Sequence, residues 1–177
     1  MFVLVATSGA VWWLNRGEEG PYAGRPRVTD HEAGLSYAIP EGWKTAKGDL
    51  IDAFTSSISV RDKAADAGGM VAAGRAGAVP RSALQRQAEA AARSNAEFFS
   101  PDGKTHLLES QSTTVDGRSA YTVALKTKSE DGSIGHLRLT LIKVSGTRSA
   151  FVLGVADKWG ARGSRTVDDV VRSTTLE

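Results

Sequence analysis

The sequence predicts an α+β fold in which a mostly antiparallel sheet is accompanied by helices, and three observations predict it. Apolar and polar residues alternate over several short runs, the period of a strand with one buried face. Asp116-Gly117, Asp131-Gly132 and Gly146-Thr147 separate the later runs at hairpin spacing. One long stretch, residues 81–99, repeats at helical period instead, and a shorter one near the end of the chain does the same.

Composition narrows the function classes. A chain of 177 residues, 41% hydrophobic and 24% charged, has the make-up of one folded domain. Its 22 Lys and Arg against 20 Asp and Glu leave only +2, so a nucleic-acid partner is not implied. The absence of cysteine removes disulfides, thiolate chemistry, zinc-finger ligands and a lipid-modified Cys.

Residues 1–14 are set apart as a partial transmembrane segment. Phe2 to Leu14 (FVLVATSGAVWWL) carries no charge, ends in Trp12-Trp13 and is followed by Arg16. A hydrocarbon core of about 30 Å needs roughly 20 apolar residues, so this run is short. Three accounts compete: a signal-peptide core, a buried soluble helix, and the tail of a longer span. The first lacks Lys or Arg ahead of the run, and Ser8-Gly9-Ala10 is followed by more apolar residues. Against the second stand the tryptophans, placed where the stretch turns polar, as at a membrane–water boundary. The third is adopted. Residues 15–27 (NRGEEGPYAGRPR) form a linker, since Gly17, Gly20, Gly24, Pro21 and Pro26 interrupt any period. Thirteen residues reach at most about 43 Å, so the partners of a domain at 28–177 are expected to be membrane-proximal.

Within that domain, Leu35, Tyr37 and Ile39 alternate as a first strand and Pro40-Glu41-Gly42 turns the chain. Trp43 follows and is expected to fold back as a lid over the sheet. Further strands are predicted at 53–60 and 70–75. The helix at 81–99 places Leu84, Ala88, Ala91, Ala92, Asn95, Phe98 and Phe99 on its apolar face, with Arg86, Glu89, Arg93 and Glu97 opposite as a solvated charge ladder. Asn95, polar on that face, is expected to hydrogen-bond a neighbouring loop or strand end. Four strands follow at 105–115, 119–128, 133–144 and 149–156. Thr166 then offers an N-cap for a short helix, 167–172, with Val167, Val170 and Val171 inward. Leu176-Glu177 has the look of a cloning scar and is given no structural role.

The segment GLSYAIPEGWK (34–44) resembles the strand and Pro-x-Gly-Trp opening of Mog1p/PsbP-like domains. DGRSAYTVAL (116–125) is similar to their post-helix turn and strand, and DDVVRSTTL (168–176) to their C-terminal helix. Within that group the chain resembles actinobacterial LpqN-type envelope proteins, although it lacks their lipobox cysteine. The resemblance implies a sandwich of helices around the sheet and a role in docking: PsbP-like members are extrinsic subunits of membrane complexes, and Mog1p binds a small GTPase. No catalytic residues come with it, and the matching Pro40, Gly42 and Trp43 are structural marks.

Motifs for chemistry are not found, and no catalytic, cofactor-binding or metal residue is nominated. His31-Glu32 lacks the second histidine of His-Glu-x-x-His, and neither His106 nor His136 has a partner at ligand spacing. His136 is expected to be exposed or covered by the sheet. AGGMVAAGRAGAVP (67–80) has no phosphate-loop pattern. Lys126, Lys128, Lys143 and Arg138 read as a weakly basic, solvated sheet edge. The expectation is therefore a non-enzymatic, single-span docking module of a cell-envelope complex, its domain extracytoplasmic, serving secretion, division or wall assembly. The alternative is a domain binding lipid or a small hydrophobic ligand between the Leu84/Phe98/Phe99 helix face and the sheet. An enclosed apolar pocket of roughly 300 Å³ or more would favour that alternative, an exposed apolar patch the docking role.

Overall fold

Side chains alternate across a strand, so each strand here contributes one row to each face of a sheet, and the apolar content of the rows decides what covers them. The computed structural model describes residues 22–46, 52–64, 66–158 and 160–177; the apolar run at 2–14 lies outside them. No described helix is long and apolar enough to cross a membrane.

The elements are β1 (Arg27–Asp30), β2 (Leu35–Ala38), β3 (Lys44–Thr45), β4 (Ser56–Asp62), β5 (Ala67–Ala76), α1 (Leu84–Phe99), β6 (Lys104–Val115), β7 (Arg118–Lys128), β8 (Ile134–Lys143), β9 (Ser149–Asp157), α2 (Gly160–Arg172) and β10 (Thr175–Leu176). Seven strands form one sheet in the order β3-β4-β5-β9-β8-β7-β6, with antiparallel pairing throughout. After β5 the chain passes through α1 to the far edge, and β6 to β9 return as the expected meander. A second sheet, β1-β2-β10, joins the start of the domain to its end.

One face of the large sheet presents Tyr121, Val123, Leu125, Leu137, Leu139, Leu141 and Leu153, and α1 lies on it through Leu84, Ala88, Ala92 and Ala96. The opposite face presents Ile58, Val71, Ala73, Ile142 and Val152, covered by Val167, Val170 and Val171 of α2 and by Leu35, Tyr37 and Trp43. Helices thus lie on both faces. Gly154 shows how closely α2 is seated: a Cβ there would stand 2.3 Å from Val167 Cγ1 and 2.9 Å from Val171 Cγ2. Trp43 is 7% exposed and belongs to the α2-side core, as expected of the lid.

Several expectations need correction. β1, β3 and β10 were not foreseen, and the strand expected at 35–39 lies in the small sheet, not the large one. Leu176-Glu177 is part of the fold: Leu176 pairs with Leu35, its N–H donates to Asp116 Oδ2 at 2.6 Å, and the Glu177 N–H donates to Gly34 O. Thr166 is not an N-cap, because α2 starts at Gly160 and the Thr166 hydroxyl donates to Arg162 O in mid-helix. The buried stripe of α1 includes Ala96 rather than Asn95. Asn95 is half-buried on the flank, and its Nδ2 donates back to Ala91 O within the helix at 2.8 Å, not to a loop or strand.

Candidate interaction surface

Small alanines on the sheet-facing stripe let α1 approach closely, and the layer beneath it is filled by buried side chains. What stays open lies at its margins. Between α1 and β6 runs a groove of about 210 Å³, floored by Leu107, Val123 and Leu125 and rimmed by Glu89, Arg93 and Thr105. Phe98 and Phe99, at the C-terminal end of α1, form an edge-to-face pair with centroids 5.1 Å apart, and Phe98 is 63% exposed. Five residues further on, β6 begins the outer edge of the large sheet. A register shift between Leu107 and Glu109 makes a bulge, and Leu107 and Leu108 are each 54% exposed. Glu89, expected on the solvated face of α1, instead joins the helix to this edge by accepting the Ser110 hydroxyl at 2.8 Å. That bond and the one from Gln85 hold its carboxyl below the usual range.

On the opposite face lies a buried ionic network. Glu109, Ala124 and Arg138 stand in one cross-strand row, and the small side chain of Ala124 lets its neighbours meet. Arg138 Nη2 donates to Glu109 Oε2 at 2.5 Å, while its Nε donates to Asp168 Oδ1 of α2 at 2.7 Å. His136 Nε2 contacts the same Oδ1 at 2.6 Å. Burial works against the Arg138 charge, yet the bonds to Glu109 and Asp168 outweigh it and the pKa is raised. For Asp168, burial raises and the bonds from His136 and Arg138 lower, with a net lowering. Glu109 is lowered chiefly by the Arg138 hydrogen bond. With both carboxylates bound to the guanidinium, this arrangement latches α2 and the β6 bulge onto β8.

The basic sheet edge expected from Lys126, Lys128, Lys143 and Arg138 therefore does not exist as such. Arg138 is buried beneath α2, its side chain 5% exposed. Lys143, at the far end of β8, lines an open depression of about 280 Å³ with Arg81 and Arg118. Lys126 and Lys128 have other neighbours: Lys104 stands directly opposite Lys128, and His106 directly opposite Lys126. His136 is not exposed but 8% accessible and paired. Among the described residues no group of three or more potential ligands is placed to hold a metal ion. The sequence reading missed Glu109 and Asp168 altogether; their local signals were the single carboxylate of β6 and one carboxylate on a helix flank.

No family model matches the chain, and no curated protein does. Solved structures that share its fold include the solution structure of cyanobacterial PsbP (CyanoP) from Synechocystis sp. PCC 6803, at 16% identity and TM-score 0.59 over 86% of this chain and 92% of that one. Another is the crystal structure of LpqN, involved in cell envelope biogenesis of Mycobacterium tuberculosis, at 12% identity and TM-score 0.58 over 85% and 89%. The chain has a PsbP-like α+β fold, as the sequence resemblance implied.

Proposed function

We propose that the chain is a non-enzymatic docking module of a cell-envelope complex, anchored through residues 1–14 with its domain on the outer face of the cytoplasmic membrane. The observation that carries this reading is the contrast between a filled interior and exposed apolar margins at Phe98, Phe99, Leu107 and Leu108. A domain enclosing a lipid would need a cavity where Leu84, Ala88, Ala92 and Ala96 instead meet the sheet, and the groove beside α1 is small and open for such a ligand. The involvement of LpqN in cell envelope biogenesis supports the setting.

The test places a photo-crosslinking residue at Leu108, or at Arg86 on the solvent side of α1, in full-length chain in its own membranes. A discrete protein adduct from position 108 and none from 86 is the expected result. Lipid adducts at 108, or adducts of equal yield at both positions, would sink the docking reading. Protease added to intact spheroplasts should cleave the domain, and protection would refute the outward orientation.

A further inference from the structure

The two edges of the large sheet are unlike. One ends in β3, two residues long, whereas the other is β6, twelve residues without a proline, exposed or half-buried along its whole length and with no strand on its outer side among the described residues. A bare edge of that length leaves alternate backbone N–H and C=O groups without strand partners, and proteins ordinarily blunt such an edge or use it.

Its side chains indicate what it takes. Lys104 opposite Lys128 and His106 opposite Lys126 put like-charged groups, His106 when protonated, directly across from each other on one face. None of the four makes an ion pair among the described residues. On the other face, between the two rows and the bulge, Leu107 lies half-exposed above Leu125. A second copy of β6 does not complement this pattern. Its one acidic residue is Glu109, whose Oε2 is held by Arg138 and whose Oε1 is held by Gln111.

We propose that β6 accepts an extended segment of a partner protein as an eighth strand. That segment carries two acidic residues, separated by one position, facing Lys104 and His106, and an apolar residue on its other face against Leu107. Beyond the bulge, the uncharged run Ser110–Val115 continues the backbone ladder. This rests on the docking reading and names the partner's chemistry and its mode of attachment.

Two fluorescein-labelled twelve-residue peptides of Thr, Val, Leu and Glu test it against full-length chain in detergent micelles. One carries its glutamates at i and i+2; the other, of equal composition, carries them at adjacent positions, which no register places on one face. A register of the second peptide still sets one glutamate on that face, so the first gains one further opposite-charge cross-strand pair and is expected to bind up to about fivefold tighter. The difference should vanish in Lys104→Gln/Lys126→Gln, two exposed substitutions whose melting temperature serves as the folding control. Hydrogen exchange of the β6 amides should slow when the first peptide is bound. Equal affinity of the two peptides, or unprotected β6 amides, overturns strand addition. If the Leu108 crosslink to a partner nevertheless stands, docking survives and this inference alone falls; if both fail, both fall.

Discussion

Asp168→Asn tests the latch that holds α2 to the sheet. The side chain accepts from Arg138 Nε at 2.7 Å, from Arg138 Nη2 at 3.3 Å, and contacts His136 Nε2 at 2.6 Å. Removing one partner of a buried pair costs about 3–5 kcal/mol when the survivor is left uncompensated. Here Glu109 still holds Arg138, and 15% of the Asp168 side chain remains exposed, so the lower end, about 3 kcal/mol, is expected. In a chain of this size that lowers the melting temperature by about 6–12 °C, read by thermal and urea unfolding of the full-length protein. The pH dependence supplies a second readout. Because the folded pKa of Asp168 is lowered, its contribution is fully present above the unfolded value, about 3.9, and is lost as pH falls through the folded value. The gap between wild type and variant should therefore be complete at neutral pH and close progressively below about pH 4. A cost under about 1 kcal/mol at neutral pH would refute the argument, because it would mean that the network is solvated rather than buried.

Trp43→Ala removes a large side chain from the core that joins the two sheets and should cost on the order of 3–5 kcal/mol in urea unfolding; an unchanged midpoint with lost partner capture would show Trp43 to be an interface anchor instead. Gly154→Ala drives a methyl group into Val167 and Val171, so α2 must move, and a loss of about 1–3 kcal/mol is expected from the same measurement, with a neutral result refuting the close seating of α2.

The later strands were legible because alternation and turn chemistry agree there. Asp116 and Gly117 adopt φ +46° and +74°, both in the left-handed region that a two-residue hairpin turn requires, and β7 to β9 alternate apolar and polar residues around their core rows. Strands of two residues have no period to read, which hid β3 and β10, and β1 (RVTD) offers a single apolar residue, Val28, so nothing in it alternates. In α2, Gly163 lies in the helix interior and is buried, so tertiary packing uses its missing side chain and overrides its low helix propensity. The phase of α1 slipped for a similar reason: Asn95 and Phe98 fit an apolar arc on the wheel, but the helix is seated over Ala92 and Ala96. The ionic network could not be read at all. Arg138 lies 29 residues from Glu109 and 30 from Asp168 in sequence, and only strand register and the seating of α2 bring them together.

The attachment of the domain bears on how the β6 edge is presented. Of the stretch read as a linker, Tyr22 already packs on the α2-side core beside Thr166 and Asp169, and Arg27 opens β1 with hydrogen bonds to Ser36, Ser173 O and Thr175. Only residues 15–21 separate Leu14 from that packed segment, a reach of at most about 23 Å instead of about 43 Å. Under the proposed anchoring, the chain therefore enters on the α2 layer, and the large sheet stands between that layer and α1. The β6 edge belongs to neither layer. It runs along the side of the molecule, where a strand from a neighbouring membrane-bound protein can lie against it without displacing a helix or passing between the domain and the bilayer. A partner that had to reach the α2 layer would meet the tether and the latch formed by Asp168 and Arg138. The short tether and the open edge thus favour the same arrangement, lateral capture of an extended segment held close to the membrane.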